Sequence, residues 1–289
     1  VVVPLNPRLP GPELQYLLRH SEAVVAVTIE TFEGVDYLQL FEGLLPHLPE
    51  LQYLVTVGEE DLWYDDRIFQ YEDLVSAGRG KEPAPGAPDE DEGPDRVVGL
   101  LYTSGTTGKP KGVLLTHANI VEIAKAAVAR LGIGPDDRAV GVSALFHVFG
   151  LGQGVVGSVL GGATLLVDPD IDGPRTLDLI EKHRATVVYG TPTLFETLLL
   201  EQARRPRDVD SLRLALASGA PVPAGLPERI ESALGADVVL AYSVTETGAL
   251  VTVTPPDAEP GVRHLTVGVP LDGVEVRIVV DASVPEPED

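Results

Sequence analysis

The spacing of hydrophobic positions changes along this chain, and the changes mark out its elements. Apolar runs at 1–3, 23–29 and 51–57 suit strands. Residues 12–20 predict a helix, with Pro12 in the first turn and Leu14, Leu17 and Leu18 on one face. A short helix is expected over 71–77. From residue 97 the alternation becomes regular. Strand-like runs at 97–101 and 113–115 flank a polar connection, and 118–131 has helical spacing through Ile120, Ile123, Ala127, Val128 and Leu131. Strands follow at 138–145 and 163–167, then a helix at 174–183 and a buried strand at 186–189. Thr191-Pro192 supplies the N-cap and first-turn residues of a helix running to about Glu201. Strand, helix and strand repeat at 212–217, 223–234 and 238–242, with a last strand at 274–280. This pattern predicts an α/β fold with mainly parallel sheets and ligand loops after the strand ends.

One stretch interrupts the pattern. Residues 82–95 are rich in proline, glycine and acids and hold too little apolar surface to pack. They read as a flexible surface connection. The chain therefore divides into a partial first α/β subdomain, 1–95, and a second α/β subdomain, 96–289, carrying the ligand sites.

Two patterns mislead. Residues 139–167 carry no formal charge apart from a possible one on His147, and are long enough to span a bilayer. Their flanks are acidic (Asp136, Asp137, Asp168, Asp170), and the run divides into strand, glycine-rich helix and strand, as buried α/β elements do. Gly152, Gly154 and Gly157 form G-x-G-x-x-G, which in a dinucleotide site would directly follow a strand. Here residues 146–151 intervene, so the glycines read as permitting close helix packing. A membrane protein and an NAD-dependent oxidoreductase are the readings set aside with these two patterns.

Composition narrows the functions. A formal charge of −23 over 289 residues argues against nucleic acid or an anionic membrane as the main partner. With no cysteine there is no disulfide, thiolate metal site or covalent cysteine intermediate, so any thiol chemistry uses a thiol carried by a substrate. The chain has no methionine and opens Val1-Val2-Val3-Pro4 without a basic leader, which reads as a fragment or processed chain; a cytoplasmic location and no transmembrane segment are expected.

The chemistry centres on Tyr102-Thr103-Ser104-Gly105-Thr106-Thr107-Gly108-Lys109-Pro110-Lys111-Gly112. Hydroxyl donors, backbone N–H groups freed by glycine and two lysines suit a polyphosphate. This is not the common P-loop, which needs a hydroxyl residue after the lysine and then a helix; here Pro110 follows Lys109, and a strand-like run follows Lys111. Further along come Leu145-Phe146-His147-Val148-Phe149-Gly150, Ala217-Ser218-Gly219-Ala220-Pro221 and Ala241-Tyr242-Ser243-Val244-Thr245-Glu246-Thr247, each at a strand end.

In this order the four stretches resemble the adenylate-forming superfamily of acyl- and aryl-CoA synthetases, luciferases and nonribosomal peptide adenylation domains. The likeness is detailed from residue 97 to 280 and looser at 1–29. It implies the layered α/β large domain of such enzymes. It also implies a two-step reaction: a carboxylate attacks the α-phosphate of ATP to give an acyl-adenylate and pyrophosphate, and coenzyme A then takes the acyl group. Thr103, Ser104, Gly105, Thr106, Thr107, Gly108 and Lys109 would hold the β- and γ-phosphates, with Lys111 adding charge. Gly219, Ala220 and Pro221 would line the adenine, Tyr242 would stack on it, Thr245 would touch phosphate, and Glu246 would help hold Mg²⁺. His147 would place the carboxylate; with Tyr189, Gly190 and Thr191 it would border the acyl pocket, beside Pro192. Lys109, His147, Thr245 and Glu246 are thus the candidate catalytic groups. Amino-acid-activating relatives carry an aspartate near position 147; its absence here looks like fatty-acyl and aryl-CoA ligases and an apolar acid substrate. Ser243 departs from the family's usual glycine. The family's Thr-Gly-Asp motif, hinge and lysine-bearing small C-terminal domain are not found, so the chain is expected to act weakly or not at all alone. A non-catalytic nucleotide- or acyl-binding module of the same fold is the alternative.

Overall fold

A computed structural model describes residues 1–58, 66–81, 93–104, 108–141, 144–169 and 172–279. The chain forms two compact units, Val1–Thr116 and His117–Asp289. The hairpin that the hydrophobic pattern places at the head of the second part groups with the first unit. Most of the 82–95 connection lies outside the described residues.

In the first unit, α1 (Gly11–His20) buries Leu14, Leu17 and Leu18, the face its spacing predicts. Strand β1 (Val25–Ile29) is followed by the small ribbon β2 (Thr31–Phe32) and β3 (Val35–Asp36). Helix α2 (Tyr37–Leu44) starts where Asp36 accepts a hydrogen bond from the Gln39 amide at 2.9 Å. Then come β4 (Tyr53–Val57), β5 (Ile68–Gln70) and α3 (Tyr71–Gly78). Strands β1, β4 and β5 form a parallel sheet in that order. The unit closes with an antiparallel hairpin of β6 (Val97–Thr103) and β7 (Lys111–Thr116). Residues 1–3 make a single parallel bridge, Val2 to Gly99, rather than the expected strand. Pro4, which has no N–H to donate, limits further pairing.

The second unit opens with α4 (His117–Leu131) and β8 (Arg138–Val140). A π-helical segment, Phe149–Val156, runs into α5 (Gly157–Gly161) and then β9 (Thr164–Leu165). After these come α6 (Gly173–His183), β10 (Val187–Gly190), α7 (Pro192–Arg204), β11 (Leu214–Ala217) and α8 (Leu226–Leu234). The unit ends with β12 (Asp237–Val244), β13 (Ala249–Val253), α9 (Pro260–Leu265) and β14 (Val269–Pro270). One sheet runs β14-β13-β12-β11-β10-β8-β9, parallel from β9 to β12 and antiparallel at β13 and β14.

Strand alternation assigns the two faces of this sheet. Val188, Ala215 and Ala217 pack with Leu177, Ile180, Phe195 and Ile230 of α6, α7 and α8. Val187, Tyr189, Leu214 and Leu216 pack on the other face with Ala127 and Leu131 of α4. Both faces are therefore covered, as a parallel sheet requires.

Two strand expectations fail here. Of the run at 138–145, β8 takes up Arg138–Val140, and Gly141 turns to φ +97, outside the strand region; residues 142–143 lie outside the described residues. A Cβ on Gly141 would also lie 2.2 Å from the Tyr189 carbonyl oxygen. The run expected at 274–280 forms no strand over 274–279, where Ile278 is 89% exposed. Its alternation finds no partner strand among the described residues. Conversely, α2, β5, α9 and the antiparallel pair β13–β14 were not expected. The apolar run at 139–167 breaks into β8, the π segment, α5 and β9, and no helix among the described residues is long and apolar enough to cross a membrane.

Candidate functional site

A cavity of about 440 Å³ opens beside the carboxyl ends of the parallel strands. Gly190 ends β10, Gly219 follows β11, Ser243 lies near the end of β12, and Gly141 follows β8; all four line it. Open α/β sheets bind ligands at this edge because each strand end delivers a loop there. His147, Phe149 and Gly150 form a second wall. The N-terminal turns of α6 and α7 give a third, through Asp172 and Thr191. Both are N-caps: Asp172 accepts from the Arg175 amide at 2.8 Å and Thr191 from the Leu194 amide at 3.4 Å. Two helix N-termini with their positive dipole ends therefore border the cavity, which favours an anionic ligand group.

Of the glycines of the misleading G-x-G-x-x-G pattern, Gly152 and Gly154 sit inside the π segment and Gly157 opens α5. They serve packing: a Cβ on Gly152 would lie 2.6 Å from the Gly248 carbonyl oxygen, so the segment lies directly against the turn before β13. Gly150 is held as tightly, its Cβ position 2.2 Å from the Ala144 carbonyl oxygen. A π turn is uncommon and often marks a functional site.

Of the residues expected at the acyl side, His147, Gly190 and Thr191 line the cavity. Tyr189 has no exposed surface, because strand alternation turns its ring to the α4 face. Phe149 lies edge-on to that ring with centroids 6.2 Å apart. Of the residues expected at the adenine side, Gly219 lines the cavity, and Ala220 and Pro221 are exposed just beyond it. Tyr242 is about half exposed. Thr245 is buried and Glu246 exposed in the single 3₁₀ turn that follows β12.

Sequence reasoning missed the reason for Ser243. The strand pairing shifts register between Tyr242 and Ser243. The Ser243 hydroxyl lies 3.1 Å from that of Ser218, which also donates to the Ala241 carbonyl at 3.0 Å. This pair ties the end of β11 to the end of β12. Thr193, Leu194 and Thr197 of α7 also line the cavity and were missed; the helical phase after Thr191 was the available signal.

The hairpin loop belongs to the first unit. Thr103 and Lys111 face each other across the end of the hairpin. Ser104, Gly108 and Lys109 are exposed, and Gly108 takes φ +93, which favours glycine. Gly105, Thr106 and Thr107 lie outside the described residues. Tyr102 anchors the approach to the loop: its hydroxyl lies 2.8 Å from His20 Nδ1 and donates to the Leu17 carbonyl at 3.3 Å. Burial raises its pKa.

A covered, mostly parallel sheet with a loop-built cavity at its carboxyl edge defines a small-molecule-binding α/β enzyme domain. The chain belongs to the AMP-binding enzyme family, whose model matches residues 1–288. It is 34% identical over 284 residues to a 3-[(3aS,4S,7aS)-7a-methyl-1,5-dioxo-octahydro-1H-inden-4-yl]propanoyl:CoA ligase of Mycobacterium tuberculosis, covering 98% of this chain and 55% of that protein. A feruloyl-CoA synthase of Amycolatopsis sp. is 33% identical, covering 99% of this chain and 52% of that one. Among solved structures, the anthranilate CoA ligase AuaEII in complex with anthranoyl-AMP superposes with a TM-score of 0.85 at 26% identity, covering all of this chain and 54% of that one. The chain thus spans about half the length of the curated relatives it matches.

Proposed function

We propose that this chain supplies the nucleotide and acyl sites of an AMP-forming carboxylate–CoA ligase. ATP and an apolar carboxylic acid would give an acyl-adenylate and pyrophosphate, and coenzyme A would then take the acyl group. The carrying observation is the cavity at the strand ends, which gathers His147, Gly190, Thr191 and Gly219 in a chain of the AMP-binding family. The relatives named above, a CoA ligase and a CoA synthase, support the same reading.

The roles follow from exposure and chemistry. Tyr242 offers a ring face to adenine, beside Gly219, Ala220 and Pro221. His147, on the cavity wall, orients the carboxylate. Ser104, Gly108 and Lys109 offer donors and charge to the terminal phosphates, with Thr103, Gly105, Thr106 and Thr107 completing the loop. Thr245 and Glu246 serve the phosphate side. An exposed carboxylate such as Glu246 fits Mg²⁺, which takes one or two carboxylates and otherwise keeps water and phosphate oxygens. The ion would neutralise phosphate charge. The apolar wall of Phe149, Ala144 and Leu194 suits an uncharged acyl group. The expected compartment is the cytoplasm.

Carboxylate-dependent exchange of pyrophosphate into ATP tests this reading. The protein with its natural flanking sequence should exchange with at least one apolar acid, while this chain alone should be at least about tenfold slower, a barrier difference of about 1.4 kcal/mol. Tight ATP binding without exchange for any acid would instead favour a binding module.

A further inference from the structure

Behind the cavity lies a buried polar pair for which the roles above have no use. Gln153, 1% exposed on the π segment, donates from Nε2 to the Tyr189 hydroxyl at 3.3 Å. Its Oε1 is buried without any partner. Turning the amide over does not cure this. Oε1 would then accept from the tyrosine, and Nε2 would be left without an acceptor. In one arrangement the pair keeps an unused acceptor and the tyrosine O–H; in the other, an unused N–H and a lone pair on the tyrosine oxygen. Both are complementary to a hydroxyl, which donates once and accepts as well. Burial pushes the Tyr189 pKa up to about 12, so its proton stays on at neutral pH.

A buried amide end with no partner is costly, on the order of 1–3 kcal/mol, and an apolar side chain would fill the space without that cost. Apolar side chains surround the tyrosine, with Ala127, Leu131, Leu214 and Leu250 in the same cluster, while the Asp137–Arg213 ion pair acts on it electrostatically. Phe149 connects this pair to the cavity: it lines the cavity and packs edge-on against Tyr189. Phe149 also begins the π segment, which carries Gln153 four residues further on.

Resting on the ligase reading, we propose that Tyr189 and Gln153 form a polar end wall of the acyl pocket. It binds a hydroxyl at the far end of an otherwise apolar carboxylic acid, reached when the Phe149 ring turns aside. The substrate class is then a hydroxylated aryl or alkyl acid, with carboxylate and hydroxyl at opposite ends.

The test is pyrophosphate exchange by the protein with its natural flanking sequence on matched acids: benzoate against para-hydroxybenzoate, cinnamate against para-hydroxycinnamate, and octanoate against its omega-hydroxy form. In at least one pair kcat/KM should favour the hydroxylated acid by roughly tenfold or more, mainly through KM, as for sites built to bond a substrate hydroxyl. Tyr189→Phe and Gln153→Leu should each bring that ratio towards one. Should one variant fail to fold, the other and the wild-type ratio still decide. A wild-type ratio near one in every pair overturns the proposal while leaving the ligase reading intact. So does a ratio that survives both substitutions, which would make the pair structural. Absence of exchange with every acid removes both readings.

Discussion

Asp137 shows how much one side chain can hold at the end of the sheet away from the cavity. It precedes β8 and is 6% exposed. Burial by itself would raise its pKa, but Arg213 donates to both carboxylate oxygens at 2.8 and 2.7 Å, Thr186 donates at 2.7 Å and the Gly134 amide at 2.9 Å. These bonds win and lower it from 3.8 to about 2. A depressed carboxylate contributes stability that is complete above its unfolded pKa and is lost as pH falls through the folded value. Asp137→Asn should therefore lower stability by about 2 kcal/mol at pH 7, with the difference shrinking as pH falls from about 4 towards 2. Urea midpoints of both proteins across that range measure it; a pH-independent difference would assign the loss to packing instead. Single residues were legible when their chemistry is local: Thr191 as a cap, Gly108 as a turn glycine. Asp137 was passed over as an acidic flank because its side-chain partners are 49 and 76 residues away.

At the scale of elements, α6 and α7 both start at the cavity, so their caps affect stability and site together. Asp172 and Thr191 each satisfy an amide in the first turn of their helix. Asp172→Ala should cost about 1 kcal/mol of folding stability, and Thr191→Ala about as much or less given its longer bond, whereas Thr191→Ser should restore the loss. Thermal unfolding reads both. Element type was legible for helices with a full apolar stripe, α1 and α4 among them. Strand ends were not, since Gly141 stops β8 through a backbone angle fixed by contact with Tyr189. The π segment was expected only as a glycine-rich helix. Its wider turn depends on how closely Gly150 and Gly152 approach neighbouring backbone.

For the whole molecule, the −23 charge is the largest collective property. Self-repulsion at that charge opposes compactness and is screened over roughly 10 Å at about 0.1 M salt. Raising sodium chloride from about 0.05 to 0.5 M should move the urea midpoint upward; a fall would mean that the ion pairs outweigh the repulsion. The sequence by itself determined the α/β class, the order of most helices and strands, and the place of the glycine- and threonine-rich connection between β6 and β7, because these depend on short-range periodicity and local chemistry. Only the tertiary structure decided that Gly141, His147, Thr191, Gly219 and Ser243 share one cavity. It also decided that Tyr189 turns to the α4 face of the sheet, where it meets Gln153. Both outcomes follow from strand order and from which face of the sheet each side chain takes, and these are set by packing between segments distant in the chain.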